Sequence, residues 1–476
     1  MNSLLRKMFG SAAGQPAPAL PERDVARCAE LTKRGNALLA QGMLGESERA
    51  YRAATQADPQ NAGALVNLGY VLGQQNKWVE AGAALKQALL RDPDQYDAHF
   101  MLGKLAFDKA NIVEATAHMR EVLRIQPGFD LTTYFSAEDS TSEALAICRM
   151  VLSIDPDNAL AHRSVGMTSL RLGDFRTGWK EYEWRFRIDV KGQTHKTFPQ
   201  PLWLGDAPVD GKTVLLHWEQ GYGDTLQFCR YAREVKAQGA SVLLQVQPGL
   251  GSLLACLDGV DILLEENEPV PPFDLHCPLM SLPLALGEYS GSFASGTQPY
   301  LHAPEGRIDY WQRRLEEIEL PARPRTGIVW SGNPAHVADL KRSIPLGMFL
   351  HVLPADFRVV ALQPLVRPAD MAILDQESRV TYLGAELSTF AETAALISAL
   401  DLVITVDTGV AHLAGAMGKT VWVLLPYMSD WRWLMDREDS PWYPHMRLFR
   451  QQVVDDWNHP LEAVRLALAD RIQSGA

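Results

Sequence analysis

The chain has 476 residues, a formal net charge of −12 and a pI near 5.5, with 47% hydrophobic residues. That length calls for about two or three domains, each able to bury a core, and the acidic balance excludes nucleic acid as the main partner. Five scattered cysteines without a CxxC pair fit free thiols in a reducing compartment.

The N-terminal "MNSLLRKMFG" has a basic pair but no apolar core, unlike a secretory signal. With the following "SAAGQPAPALPE" it makes residues 1–25 a flexible tether. No apolar stretch anywhere reaches the roughly 18–20 residues that span a bilayer. The expectation is a cytoplasmic protein without a transmembrane segment.

From residue 26 the chain repeats. Pro59, Pro93 and Pro127 stand 34 residues apart, as do Gly35, Gly69 and Gly103, then Tyr51, Leu85 and Met119, then Ala54, Ala88 and Val122. The glycines would let paired helices approach closely, and each proline would end the second helix of a unit. Downstream the period slips: "FDLTTYFSAEDST" reads as a shortened helix, and Gly166 and Tyr182 then restore the pattern. This gives about five units, one degenerate, over residues 26–190. The period resembles the tetratricopeptide repeat. Such an α-solenoid either scaffolds and homo-oligomerises or holds a protein or peptide acceptor on its concave face, and the packing residues leave both open.

Residues 191–210 are polar with several Pro and Gly, and read as a linker. Strand–helix alternation follows, as parallel βα units require. In residues 211–305 the strands are "KTVLLHW", "ASVLLQVQP", "DILLEE" and "FDLHCPL", with the Gly-rich turn "EQGYGDT" after the first. Residues 306–324 read as an interdomain linker. Residues 325–476 carry five more strands: "TGIVWSGNP", "RVVALQP", "VTYLG", "LDLVITVD" and "TVWVLLP". The fold class expected is α + α/β, a helical solenoid followed by two Rossmann-like halves with polar residues beyond the carboxyl ends of their strands. The last helix is "PLEAVRLALADRI", which a resemblance to related two-halved folds would have cross back to brace the first half.

Several familiar patterns fail on inspection. "GAMGKT" has Leu413 where a phosphate loop needs glycine, and its Lys419 precedes a strand. "GYGDTL" has Leu226 at the third glycine position of GxGxxG. No HExxH or Cys/His cluster indicates a metal. "VDTGVAHLAGAMG" remains. Gly409 permits a tight turn off the strand, and Thr408 with the free N–H groups of the next helix offers donors to an anion. His412 follows within hydrogen-bonding range of that anion.

This stretch resembles the signature of the heptosyltransferase-type glycosyltransferases of family 9, and "EQGYGDTLQFCRYAREV" is similar to that family's N-terminal Gly-Asp turn around Gly221 and Gly223. With the repeats, the chain resembles bacterial repeat-containing glycosyltransferases, some implicated in flagellin glycosylation. The resemblance implies a GT-B pair of halves, a nucleotide-sugar donor, no cofactor or metal, and inversion at the anomeric carbon. It implies that Asp224 is the general base, against the alternative that it caps the helix beginning at Thr225. Thr408, Gly409 and His412 match the diphosphate loop. Lys341 and Arg342, with Asn333 and His336 on the same loop, match the basic residue that neutralises the departing phosphate, against the alternative of a solvated surface pair. Gln363 is assigned to the base, Thr393 to ribose or phosphate, and Asp407 to holding the turn. Trp431 and Trp433 either stack on a sugar or form a packed wall. The basic loop, "LKRSIP", departs from the family's Lys–aromatic–Pro, so the donor need not be ADP-heptose. The function expected is sugar transfer to a protein such as flagellin; the alternatives are a lipopolysaccharide or other glycan acceptor, or an adaptor with an inactive transferase half.

Overall fold

The computed structural model describes residues 23–109, 111–126, 129, 141–188, 196–290, 298–318, 324–334, 339–355 and 357–474. Residues 1–22 of the supposed tether, the shortened repeat helix at 130–140 and His336 lie outside the described residues, while Arg23 pairs with Asp58 and Val25 already begins the first helix.

Three antiparallel helix pairs open the chain: α1 (Val25–Ala40) with α2 (Leu44–Ala57), α3 (Ala62–Gln74) with α4 (Trp78–Arg91), and α5 (Tyr96–Asp108) with α6 (Ile112–Ile125). The 34-residue period is a packing period. A β-carbon at Gly35 would stand 2.6 Å from the Tyr51 ring, one at Gly69 2.6 Å from Leu85 Cγ, and one at Gly103 2.6 Å from Met119 Cε. Each repeated glycine is thus the socket for the repeated large residue on the second helix of its own pair. Ala54, Ala88 and Val122 are fully buried at the next contact. Side chains of Asp24, Asn61 and Asn111 accept from N–H groups of the first turns they precede, meeting the donors a helix start leaves open.

Helix α7 (Thr141–Ile154) follows, then α8 (Ala159–Arg171) and α9 (Phe175–Tyr182). The chain divides into two compact units: α1–α6 with Arg149–Asn158 form one, and Glu138–Cys148 with everything from Ala159 onward the other. The repeat array expected over 26–190 is therefore divided. Leu170, Phe175, Trp179 and Tyr182 of α8 and α9 are buried in the core of the α/β region, which is why this last repeat-like pair folds with it.

In that second unit, strands β1 (Thr213–His217), β2 (Ser241–Val246), β3 (Ile262–Glu265) and β4 (Leu275–Pro278) form a parallel sheet of order β3-β2-β1-β4. Helix α10 (Tyr222–Phe228) follows β1. The supposed linker at 191–210 is part of this half: Trp203 is buried and its N–H donates to the His276 carbonyl at 2.8 Å. The supposed interdomain linker holds helix α11 (Glu305–Glu317), with Trp311 and Leu315 fully buried.

The second sheet is also parallel: β5 (Thr326–Val329), β6 (Val359–Ala361), β7 (Val380–Tyr382), β8 (Leu402–Val406), β9 (Val421–Leu425) and β10 (Met446–Arg450), ordered β10-β9-β8-β5-β6-β7. Helix α12 (Phe390–Ser398) precedes β8 and α13 (Gly409–Ala416) follows it. Burial on both faces explains the unbroken apolar strands. Trp422 and Leu424 of β9 pack on one side, while Val421, Val423 and Leu425 pack on the other. The final helix, α14 (Asn458–Ser474), does not cross to the first half. Its Leu461, Val464 and Leu468 join Trp422 and Phe449 in the core of its own sheet.

Candidate functional site

Both sheets reverse direction of construction beside one strand pair. In the first, β1 lies between β2 and β4; in the second, β5 and β8 are neighbours and the strand order runs outward from them. A crevice opens beyond the carboxyl ends of strands at such points. The turn after β1 carries Gly221 to Asp224, and the turn after β8 carries Asp407 to Gly409.

These two turns meet. A β-carbon at Gly223 would stand 3.0 Å from His412 Cδ2 and 3.7 Å from Gly409 Cα, so the first turns of α10 and α13 lie in contact and a side chain at 223 would force them apart. Gly221 is the N-cap of α10, and its N–H donates to Asp224 Oδ2 at 2.7 Å. The helix begins at Tyr222 rather than Thr225, so Asp224 is its third residue and serves the cap from inside. Its other oxygen, Oδ1, accepts from Arg432 Nη2. Burial raises the Asp224 carboxyl above its ordinary range, and Arg432 works against that rise.

Across the contact, Thr408 is the N-cap of α13, its hydroxyl 3.2 Å from Thr405 Oγ1. His412 is buried; Nδ1 lies 3.0 Å from Tyr443 Oη, and the ring stacks on Trp433 with centroids 5.3 Å apart. Burial, with Arg432 adding to it, pushes His412 down to about 3, so near neutral pH it is an uncharged hydrogen-bonding group. Arg342 reaches this turn, Nη1 donating to the Asp407 carbonyl at 3.0 Å. Lys341, its neighbour in the short turn Asp339–Arg342, is exposed. Asn333 stands in the loop after β5.

Three assignments read differently in three dimensions. Gln363 is buried and fully engaged, its amide donating to Ser331 Oγ at 2.6 Å and the Leu365 carbonyl at 2.8 Å while Oε1 accepts from Ser331 N. It ties two loops together instead of facing open space. The Thr393 hydroxyl donates to the Thr389 carbonyl one turn back in α12. Trp431 and Trp433 are the packed wall: both are buried, Trp431 packing edge-on against Trp179 at 5.3 Å. Among the described residues no group of three or more His, Cys, Asp and Glu is placed to hold a metal ion.

The model of the family "Glycosyltransferase family 9 (heptosyltransferase)" matches residues 372–428, a span that holds β8, the Asp407–Gly409 turn, α13 and β9. The model of the tetratricopeptide repeat matches residues 32–89 and 72–128. The chain carries tetratricopeptide repeats and a family 9 glycosyltransferase domain. Its enzyme class is that of a glycosyltransferase. Protein FlbA of Caulobacter vibrioides is 25% identical over 469 residues, covering 88% of this chain and 74% of that protein. The crystal structure of a family 9 glycosyl transferase from Veillonella parvula is 11% identical, covers 56% of this chain and 98% of its own, and superposes with a TM-score of 0.42. YrrB, described as a tetratricopeptide protein with an unusual peptide-binding site, is 19% identical, covers 33% of this chain and 84% of its own, with a TM-score of 0.24. Among the described residues no helix is long and apolar enough to cross a membrane.

The candidate site contains groups that sequence reasoning passed over. Arg432 lies between the two tryptophans that drew attention and is the cation at the centre of the site. Tyr443 holds His412. Glu219, just ahead of the Gly-Asp turn, pairs with Arg185 at 2.9 and 2.8 Å, and Gln220 donates to Tyr182 Oη at 3.1 Å. The end of α9 and the short 3-10 turn Glu183–Arg187 after it thereby grip the loop that leads to Asp224. Arg432 sits one residue from two large aromatics in a stretch with four carboxylates, so a charge requiring a partner was visible there; which carboxylate it meets was not.

Proposed function

We propose that the chain is an inverting glycosyltransferase that takes a sugar from a nucleotide-sugar donor without a metal and places it on a protein acceptor of the flagellin kind, recruited by the repeats. The observation that carries this reading is the contact between the first turns of α10 and α13, which brings the turn bearing Asp224 against the start of α13. In the proposed step Asp224 takes the proton of an acceptor hydroxyl. The oxygen bonds to the anomeric carbon from the face opposite the donor's diphosphate, and the bond from that carbon to the diphosphate oxygen breaks. The N–H groups at the start of α13, the Thr408 hydroxyl and Arg342 receive the charge that develops on the leaving group. Arg342 and exposed Lys341 do in this reading what a metal does elsewhere. The neutral His412 donates without adding charge. The repeats support a peptide or protein as acceptor, because such arrays bind extended segments along stacked helices.

Calorimetry of the full chain against UDP-, GDP-, ADP-, dTDP- and CMP-sugars tests the donor half of this reading. Saturable binding of one, lost on His412→Ala, is the expected outcome. Binding of none would favour a repeat adaptor. Transfer of the bound sugar to a lipid-linked glycan but to no protein would overturn the acceptor assignment.

A further inference from the structure

We propose that Arg432 is the positioning residue of Asp224: a guanidinium from the second half that aims the carboxylate of the first half and leaves it able to accept a proton. The inference rests on reading Asp224 as the base.

Arg432 occupies the short turn Trp431–Trp433, capped by Asp430, whose carboxylate accepts from the Arg432 N–H at 3.0 Å. Its guanidinium is spread over three acceptors. Nη2 meets Asp224 Oδ1, Nη1 meets Asp430 Oδ1 at 2.8 Å, and Nε meets Gln227 Oε1 at 2.8 Å. The plane is held against Trp431, 4.2 Å from the ring centroid, and near Phe228 at 5.8 Å. An Arg–carboxylate pair usually closes as a fork on both oxygens. Here one N–H alone goes to Asp224, because Asp430 and Gln227 hold the rest of the fork. A carboxylate has about four acceptor positions; the Gly221 N–H and Arg432 use two on Asp224 and leave the others for a hydroxyl. Orientation without saturation is what a base requires.

The electrostatics agree. Burial works against the charged form of Asp224, and so do Asp430 and Glu219, the latter already paired with Arg185. Tyr182 and the uncharged His412 face the same region. Arg432 is the cation that pulls the other way and favours the charged form. Since Arg432 and Asp224 come from different halves, the base is set only where the halves meet.

Carbon-13 carboxyl-labelled aspartate in the full chain, titrated by NMR, tests this directly. The Asp224 resonance is identified by its loss in Asp224→Asn. In Arg432→Gln its midpoint should move to higher pH, and Arg432→Lys, which keeps the charge but not the fork, should bring it back toward the native value. With whichever nucleotide sugar binds, Arg432→Gln should lower kcat by about tenfold or more near neutral pH and regain rate as pH rises, with little change in donor KM. A rate loss equal at every pH, or an unmoved Asp224 midpoint, would overturn the inference. Should Arg432→Gln not fold, a native Asp224 midpoint with native kcat in Arg432→Lys would overturn the requirement for the fork. Transfer surviving Asp224→Asn would instead sink the base assignment itself.

Discussion

Asp407 follows β8 at the head of the Asp-Thr-Gly turn and is partly buried. Burial, reinforced by repulsion from Asp430, pushes it up to about 6; Arg342 and the Trp433 indole relieve only part of that. Asp430 itself, though burial pushes the other way, is held low by Arg432. A folded value above the unfolded one means that between roughly pH 4 and 6 the folded chain holds a proton the unfolded chain has lost. This group's contribution to stability therefore falls as pH rises through that window and stays low above it. Asp407→Asn should raise the melting temperature at neutral pH, by the equivalent of roughly 1–3 kcal/mol, and change it little near pH 4. An equal gain at both pH values would mean that the charge is not the cause. The Asp-Thr-Gly turn could be read from residue order because a strand end, a glycine and small helix residues leave few alternatives. The hydrogen bonds that saturate Gln363 could not, because Ser331 comes from a loop 32 residues away whose approach no local pattern encodes; the Thr393 bond to Thr389, four residues back, is a local pattern that was passed over.

Helix pairs in this chain are spaced by their glycines, but the glycines are not equally guarded. At Gly103 an added methyl would meet the mobile end of Met119, whereas at Gly166 it would meet the backbone of Glu181 and Tyr182 at 2.6–2.9 Å. Gly103→Ala should then be close to neutral, since Met119 can turn aside and alanine gains about 0.5–1 kcal/mol in a helix. Gly166→Ala should destabilise by about 1–3 kcal/mol, and because Tyr182 and Arg185 hold the 219–221 loop it should also slow transfer. Equal melting temperatures for the two variants would refute this ranking. The repeats themselves were legible since their period is sterically enforced, socket by socket. Strand β10 was not: "MRLFR" mixes charges with apolar residues, and it becomes a strand by pairing with β9 at the sheet edge. The segments read as linkers failed for a related reason. Pro and Gly mark breaks in helices, yet Trp203 and Trp311 between those breaks bury completely.

The second compact unit holds two histidines kept uncharged by burial, His217 at the end of β1 and His412 in α13, both pushed down to about 3. In the unfolded chain each takes a proton near pH 6.5. As pH falls below that, the unfolded state gains two protons that the folded state refuses, so stability is lost at about 1.4 kcal/mol per pH unit for each histidine. Asp407 and Asp224, both raised by burial, oppose this loss as pH falls, and His276, lowered by burial, adds to it. Every tryptophan except Trp78 lies beyond Ala159, so tryptophan fluorescence follows this unit with little signal from the first. Urea unfolding monitored that way should show a midpoint that declines from pH 7 to pH 5. His217 lies 3.2 Å from His276 and 3.3 Å from the Trp218 carbonyl, contacts that a glutamine amide can reproduce without ionising. His217→Gln should therefore keep the neutral-pH midpoint within about 1 kcal/mol and make the acid decline markedly shallower. A decline as steep as the native one would show that the proton is taken up elsewhere.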